Sequence, residues 1–439
     1  MPPQNPGCFY RPSTRLADLQ TALLIVVMLL MTVLTSSSYD QALASSVHEQ
    51  LRPSAAPRPT EADRLQIWNV SLRLVREPYD TAFNWRTAFT RMAQYEYAPD
   101  VISVLEVPWH RRGDVSTEIE NNLGAGYEFA HADAHTDPCR SSGTMTNNER
   151  RTLCGNTMIF WRTPRLTSIC DPTCQVMRWR GWENSSPTAD DCATNRHPNP
   201  DHIAVRLRDT EQNRVVTVAS VHFPNDPTKC LAKNLKEMND MFEADTTWRN
   251  RPLTVVAGDF NEHPDPRHDD DDEATYRLQW RREENQACWY KRFSVHHGST
   301  DSCSLQLSGS WSFPYHDVMW VEHSDAPADI CKQWTLGNEF PEGLAAADKC
   351  DEGTQPQVKK RIDFMWVRYE TSDGTAITTD AKDFARAQVD AASVDQGFYD
   401  PDPAVADDEV RYSDHRALHL RVFWCSPDAV LGGFATPCS

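Results

Sequence analysis

Leu253-Thr254-Val255-Val256-Ala257-Gly258-Asp259-Phe260-Asn261 is an apolar run with a polar exit. A short apolar run bounded by turn residues is the pattern of a strand buried on both faces. Asp259 and Asn261 stand two apart, so a continued extended backbone would aim both side chains to one side. A carboxylate beside a carboxamide can accept from and donate to a single water, which suits the pair to holding a nucleophile.

Other runs end the same way. Leu65-Gln66-Ile67-Trp68 leads to Asn69, Val101-Ile102-Ser103-Val104-Leu105 to Glu106, and the run Val215 to Val221 to His222. Asp363 sits within Arg361-Ile362-Asp363-Phe364, and Asp414-His415 within Ser413-Asp414-His415-Arg416. Ligands of open α/β sheets bind outside strand ends, so strands ending in Asn, Glu, His and Asp can converge on one crevice.

The rest of the chain supplies the framework. Trp85, Phe89, Met92 and Ala93 follow a helical period that Pro99-Asp100 ends, giving a β-α-β start. A strand is expected over 155–161, a hairpin over 203–207 and 215–221, and a helix over 229–248. Further strands are expected over 362–367 and 417–423. Cys170 to Asp201 reads as a disulfide-tied surface excursion and 264–355 as a second insertion, with a helix over 272–293 and an aromatic run from Trp311 to Trp320.

Composition bounds the setting. Hydrophobic content of 39% in 439 residues is ample for a core, in one large α/β domain or more than one smaller unit. Arg11 and Arg15, the apolar stretch Leu23 to Leu34 and Ala42-Leu43-Ala44 read as a signal peptide over 1–44, with an uncleaved anchor as the alternative. A flexible Pro-containing lead-in over 45–60 follows. Of 13 cysteines, Cys8 lies in the presumed signal, and an even number in an exported chain implies disulfides. Local pairs such as Cys139/Cys154 and Cys170/Cys174 are candidates, and Cys425/Cys438 would tie a tail over 425–439. The net charge of −19 repels polyanions at long range, which disfavours tight, salt-sensitive nucleic-acid binding but not a nuclease that works through a cation and a local basic groove.

From about Leu65 to Phe423 the motif set resembles the endonuclease/exonuclease/phosphatase superfamily, the deoxyribonuclease I-like proteins. The resemblance implies an α/β fold, a four-layer α/β sandwich in which two mixed β-sheets pack face to face with helices outside, over a catalytic domain spanning 61–424. It implies a metal-dependent phosphodiester hydrolase using Mg²⁺, with Mn²⁺ or Ca²⁺ as alternatives. Glu106 would be the main metal ligand, Asn69 would support metal or phosphate, and Asp414 would face the metal side. Asp259 and Asn261 would orient or activate the attacking water, His222 would meet the phosphate, and Asp363 would orient His415. Asn156 and Arg111 are candidate substrate contacts, and Asp133 a candidate partner of His222. The substrate expected is nucleic acid, DNA above RNA, with a sphingomyelinase-like action on phospholipid as the alternative and a non-catalytic binding subunit as a third reading. No obligate protein partner is implied.

Overall fold

Alternation along the strands decides which face each residue buries. The computed structural model describes residues 64–72, 74, 84–95, 97–124, 126–132, 157–170, 175–179, 182–183, 195–196, 202–223, 228–245, 248, 252–261, 288–295, 315–319, 362–369, 387–394, 413, 415, 417–424, 430–431 and 434–435. All of them lie in one compact unit, Pro59–Cys438. The signal-peptide and lead-in readings therefore fall outside the described residues, as do Cys139, Cys154, Cys174, Cys425 and Cys438. No helix among the described residues is long and apolar enough to cross a membrane.

The elements run β1 (Arg64–Ser71), α1 (Thr87–Met92), β2 (Val101–Leu105), a 3₁₀ turn (Trp109–Arg111), α2 (Arg112–Leu123), β3 (Tyr127–His131), β4 (Met158–Arg162), β5 (Leu166–Ser168), β6 (Val176–Trp179), β7 (Trp182–Glu183), β8 (Asn195–Arg196), β9 (His202–Asp209) and β10 (Arg214–His222). They continue α3 (Thr228–Ala244), β11 (Leu253–Asp259), α4 (Cys288–Phe293), β12 (His316–Asp317), β13 (Asp363–Tyr369), β14 (Ala387–Val394), β15 (Leu418–Trp424), β16 (Val430–Leu431) and β17 (Phe434–Ala435).

A six-stranded sheet has the order β14-β15-β1-β2-β4-β3, and a seven-stranded sheet the order β12-β13-β11-β10-β9-β5 with β6 also on β9. Parallel pairs β1–β2 and β10–β11 sit among antiparallel neighbours, so both sheets are mixed. Leu65 and Ile67, Val216 and Val218, Val255 and Ala257, Met365 and Val367, and Leu418 and Leu420 fill the space between the sheets. Their alternates point outward. Trp68, Val70, Ile102 and Val104 pack with Phe89, Met92, Val115 and Ile119 of α1 and α2. Val221, Val256, Phe364 and Trp366 pack with Leu235, Met238 and Phe242 of α3. The result is the four-layer α/β sandwich, with apolar burial on both faces of each sheet as its main support.

The excursion after Cys170 contributes more than surface, because its Val176–Trp179 stretch joins the seven-stranded sheet along β9. In the later insertion only Cys288–Phe293 of the expected helix lies among the described residues, and it is helical. Of the aromatic run, Tyr315 is wholly buried and stacks on Phe293 at 4.4 Å. Trp311, Phe313 and Trp320 are outside the described residues.

Candidate active site

The inward-facing row of each central strand changes from apolar to polar at one end of the sandwich. Leu65 and Ile67 give way to Asn69 and Ser71 on β1, Val101 to Ser103 on β2, and Val216 and Val218 to Ser220 and His222 on β10. Val255 and Ala257 give way to Asp259 on β11, and on antiparallel β13 Val367 and Met365 to Asp363. The register pairs His222 with Asp259 and Asp259 with Asp363, so the three lie side by side on adjacent strands.

Asp259 is the centre. Its Oδ2 lies 3.7 Å from His222 Nε2 and 3.9 Å from His415 Nε2. Both separations exceed a hydrogen bond and leave the imidazoles turned toward the carboxylate without closing on it. Behind His415, Nδ1 is 2.8 Å from Asp363 Oδ2. At that distance Nδ1–H donates to the carboxylate, which leaves Nε2 facing Asp259. Ligand atoms of Asp259, Asp363 and His415 all fall within 4.8 Å of one another, a group able to hold a divalent cation.

Burial pushes the Asp259 carboxyl up to about 7, with the Asp363 carboxylate adding to the effect. His415, His222 and the Asn261 N–H oppose it. Desolvation and a like charge both penalise ionisation, so the site has an unmet demand for positive charge.

Close approach of the backbone makes this geometry. A Cβ on Gly258 would stand 1.8 Å from the carbonyl oxygen of Val221, its partner across β10, so only glycine lets the two strands meet here. Phe260 turns away into the aromatic core, edge-on to Phe223 at 5.1 Å and to Phe364 at 5.2 Å. Its N–H donates to Ile362 O at 2.7 Å.

Asn261 corrects the expectation of a shared extended side with Asp259. The strand ends at Asp259 and Asn261 adopts φ 53°, in the left-handed region that asparagine tolerates. Its backbone N–H donates to Asp259 Oδ1 at 2.7 Å and its Nδ2 to Phe223 O at 2.6 Å. Asn261 thus locks the carboxylate and ties the exits of β10 and β11. One N–H of its side-chain amide is thereby committed to a backbone carbonyl.

Glu106 follows β2 with φ 59°, an uncommon conformation for glutamate that costs about 1–2 kcal/mol and marks a constrained position. It is 8% exposed, and Ser71 Oγ donates to its Oε1 at 3.0 Å. Asn69 Oδ1 accepts from Ser103 Oγ at 2.8 Å, and its Nδ2 is a buried donor without a partner among the described residues. Ser103 Oγ is 2.7 Å from Ser220 Oγ, a hydroxyl bridge between the sheets below the mouth. Glu106 is not part of the compact donor group, which consists of residues read from the sequence as catalytic.

Arg111 Nε pairs with Asp114 Oδ2 at 2.7 Å, so that cation is already engaged within its own helical turn. Asp414, Asn156 and Asp133 lie outside the described residues. Sequence reasoning passed over Ser71, Ser103 and Ser220, because a serine within a strand carries no signal apart from its neighbours. It also passed over His202, whose Nδ1 accepts the His222 backbone N–H at 3.1 Å.

Fold and site together define an α/β sandwich carrying an acid–imidazole cluster at one strand-end mouth. No family model matches the chain, and no curated protein matches it. Solved structures do resemble it, and they include endonuclease/exonuclease/phosphatase family proteins, the family that the sequence motifs resemble. One such protein, from Bacteroides thetaiotaomicron, is 14% identical with a TM-score of 0.45, covering 82% of this chain and 95% of its own. A mannosyl-6-phosphatase from the same organism is 13% identical with a TM-score of 0.44, covering 82% and 100%. Danio rerio TDP2 complexed with a single-strand DNA product is 11% identical with a TM-score of 0.42, covering 82% and 98%. Likeness at this level transfers no residue roles, and the chemistry rests on this chain's own geometry.

Proposed function

We propose that the chain is a secreted, divalent-metal-dependent phosphodiesterase acting on nucleic acid as a deoxyribonuclease I-like endonuclease. The observation that carries the reading is the placement of Asp259 Oδ2 between His222 Nε2 at 3.7 Å and His415 Nε2 at 3.9 Å, with Asp363 fixing His415 from behind at 2.8 Å. Phosphodiester hydrolysis needs a base for water, a proton donor, and positive charge for the phosphoryl oxygens. This mouth supplies the first two from its own side chains.

A buried carboxyl raised to about 7 is matched to taking a proton from water near neutral pH. Asp259 fills that role. His415, held by Asp363, presents Nε2 as a donor to phosphoryl or leaving oxygen, and the Asp363 carboxylate stabilises the imidazolium when it forms. His222 closes the opposite side. Asn69 Nδ2, a buried amide donor with no partner among the described residues, supplies a hydrogen bond to an anionic oxygen.

The donor set fits a hard cation. Mg²⁺ is commonly held by one or two carboxylates, keeping waters and substrate phosphate as its other ligands. Glu106 is the preferred holder: Ser71 fixes one of its oxygens, whereas Asp363 and His415 already satisfy each other. Bound there, the cation would neutralise phosphoryl charge. Mn²⁺ or Ca²⁺ could occupy the same oxygens, and Asp414 is proposed to face that side. Asn156 would contact phosphate, and Asp133 would partner His222.

The secreted setting rests on the signal-like N-terminus, the even cysteine count after it and the disulfide-bonded state of Cys170. Purified mature protein should be incubated with plasmid DNA, RNA and sphingomyelin, each with Mg²⁺ and with excess chelator. Metal-dependent nicking of plasmid is the expected result. Release of choline phosphate with no nicking would replace the nuclease by the lipid-directed reading. Inertness on every phosphodiester would leave a binding subunit.

A further inference from the structure

A buried histidine outside the cluster reaches into it through the backbone. The ladder between β9 and β10 has its last pair at Ser220 and Ile203, so the N–H of His222 lies beyond strand-to-strand hydrogen bonding on that side. His202 Nδ1 takes its place, accepting the His222 N–H at 3.1 Å. The donor is a backbone amide, so Nδ1 must be the bare nitrogen of a neutral ring. An apolar residue at position 202 would leave this partly buried N–H without that acceptor.

The ring that caps His222 is itself fixed. His202 is wholly buried between Trp179, with centroids 5.3 Å apart, and Phe223 at 4.8 Å. Trp179 comes from β6, whose register sets it opposite His202. On the other flank of β10, Phe223 N–H donates to Asp259 O at 2.8 Å, and Asn261 Nδ2 donates to Phe223 O at 2.6 Å. The backbone at His222 is therefore gripped from β11 on one side and by one imidazole on the other. Releasing the His202 grip frees the side chain that must keep its Nε2 3.7 Å from Asp259.

We propose that His202 is a positioning residue that holds His222 in register with Asp259 through a ring-to-backbone hydrogen bond. The proposal rests on the phosphodiesterase reading for its kinetic consequence, but not for the bond itself. It also gives the excursion after Cys170 a task, since that segment carries the tryptophan that packs on the His202 ring.

Two substitutions separate acceptor from packing. His202→Phe keeps an aromatic ring between Trp179 and Phe223 and loses the acceptor. His202→Asn loses the ring and keeps an oxygen near the Nδ1 position. In the full mature chain, amide hydrogen exchange at His222, read by mass spectrometry, should quicken at least about tenfold in His202→Phe and stay close to wild type in His202→Asn. On DNA with Mg²⁺, kcat should fall about 10- to 100-fold in His202→Phe with KM nearly unchanged, while His202→Asn retains kcat within about threefold. The thermal midpoint should follow the opposite order, with His202→Asn the less stable.

Equal kcat in His202→Phe and wild type would overturn the proposal, as would a His202→Asn enzyme as slow as His202→Phe. A wild-type chain inert on phosphodiesters would refute the proposed function and leave exchange to decide the tie. His222 exchange equally slow in wild type and His202→Phe would then overturn it.

Discussion

Replacing Asp363 by asparagine removes one charge and little volume, and it should produce two separate effects of known sign. Asp363 is buried, and its Oδ2 accepts from His415 Nδ1 at 2.8 Å. An amide there no longer stabilises the imidazolium that His415 becomes when it carries a proton. The corresponding loss in a carboxylate–histidine pair of the same geometry is about 10⁴ in kcat, or roughly 5 kcal/mol of transition-state stabilisation. The Asp363 carboxylate also helps hold the Asp259 carboxyl up at about 7, after burial itself. In Asp363→Asn the Asp259 carboxyl should therefore titrate below its wild-type position. The assay is paired: kcat on an oligonucleotide with Mg²⁺, and the Asp259 carboxyl titration by carbon NMR in metal-free protein. A kcat within tenfold of wild type would refute the role given to the Asp363–His415 pair. An unmoved or raised Asp259 titration would refute the charge coupling.

Gly258→Ala sets a methyl 1.8 Å from the Val221 carbonyl oxygen, and backbone cannot yield as a side-chain end can. Destabilisation of about 3 kcal/mol or more is expected, read as a lower urea midpoint, and a loss under 1 kcal/mol would show that β10 and β11 separate easily. His419 carries a pH dependence. Burial first, and then the Arg421 charge, lower it from 6.5 to about 4, with its Nε2 2.6 Å from Gln66 Oε1. Between those values the unfolded chain binds more protons than the folded one. The contribution is complete above about pH 6.5 and is lost as pH falls toward 4, by up to about 3 kcal/mol. Urea midpoints over that range should fall more steeply in wild type than in His419→Asn, and parallel slopes would remove the effect.

Much of this architecture was legible because period and termination speak together in the sequence. Val101–Leu105 is both an apolar run and a strand with the same limits, and the hairpin of β9 and β10 was visible from the paired runs over 203–207 and 215–221. Strands ending in Asn69, Glu106, His222 and Asp259 were read as converging, and His222 and Asp259 meet beside Asp363 and His415. What the sequence could not give were features that need a partner from afar. The Ser103–Ser220 bridge joins residues 117 apart, and neither serine differs locally from a solvent-facing one. The left-handed turn at Asn261 was hidden because a motif of the form Asp-x-Asn fits an extended strand and a tight exit equally well. His202 opens a strand with an ordinary pattern, and only the end of the β9–β10 ladder at Ser220 gives its ring a purpose.

The most direct test is the rate of phosphodiester hydrolysis by Asp259→Asn, with folding checked by thermal midpoint on the same sample. A loss of at least about 10³ in kcat with the fold intact is expected, since the substitution removes the base set between two imidazoles and leaves the backbone clamp of Asn261 an acceptor. A folded Asp259→Asn protein that cleaves DNA within tenfold of wild type would contradict it.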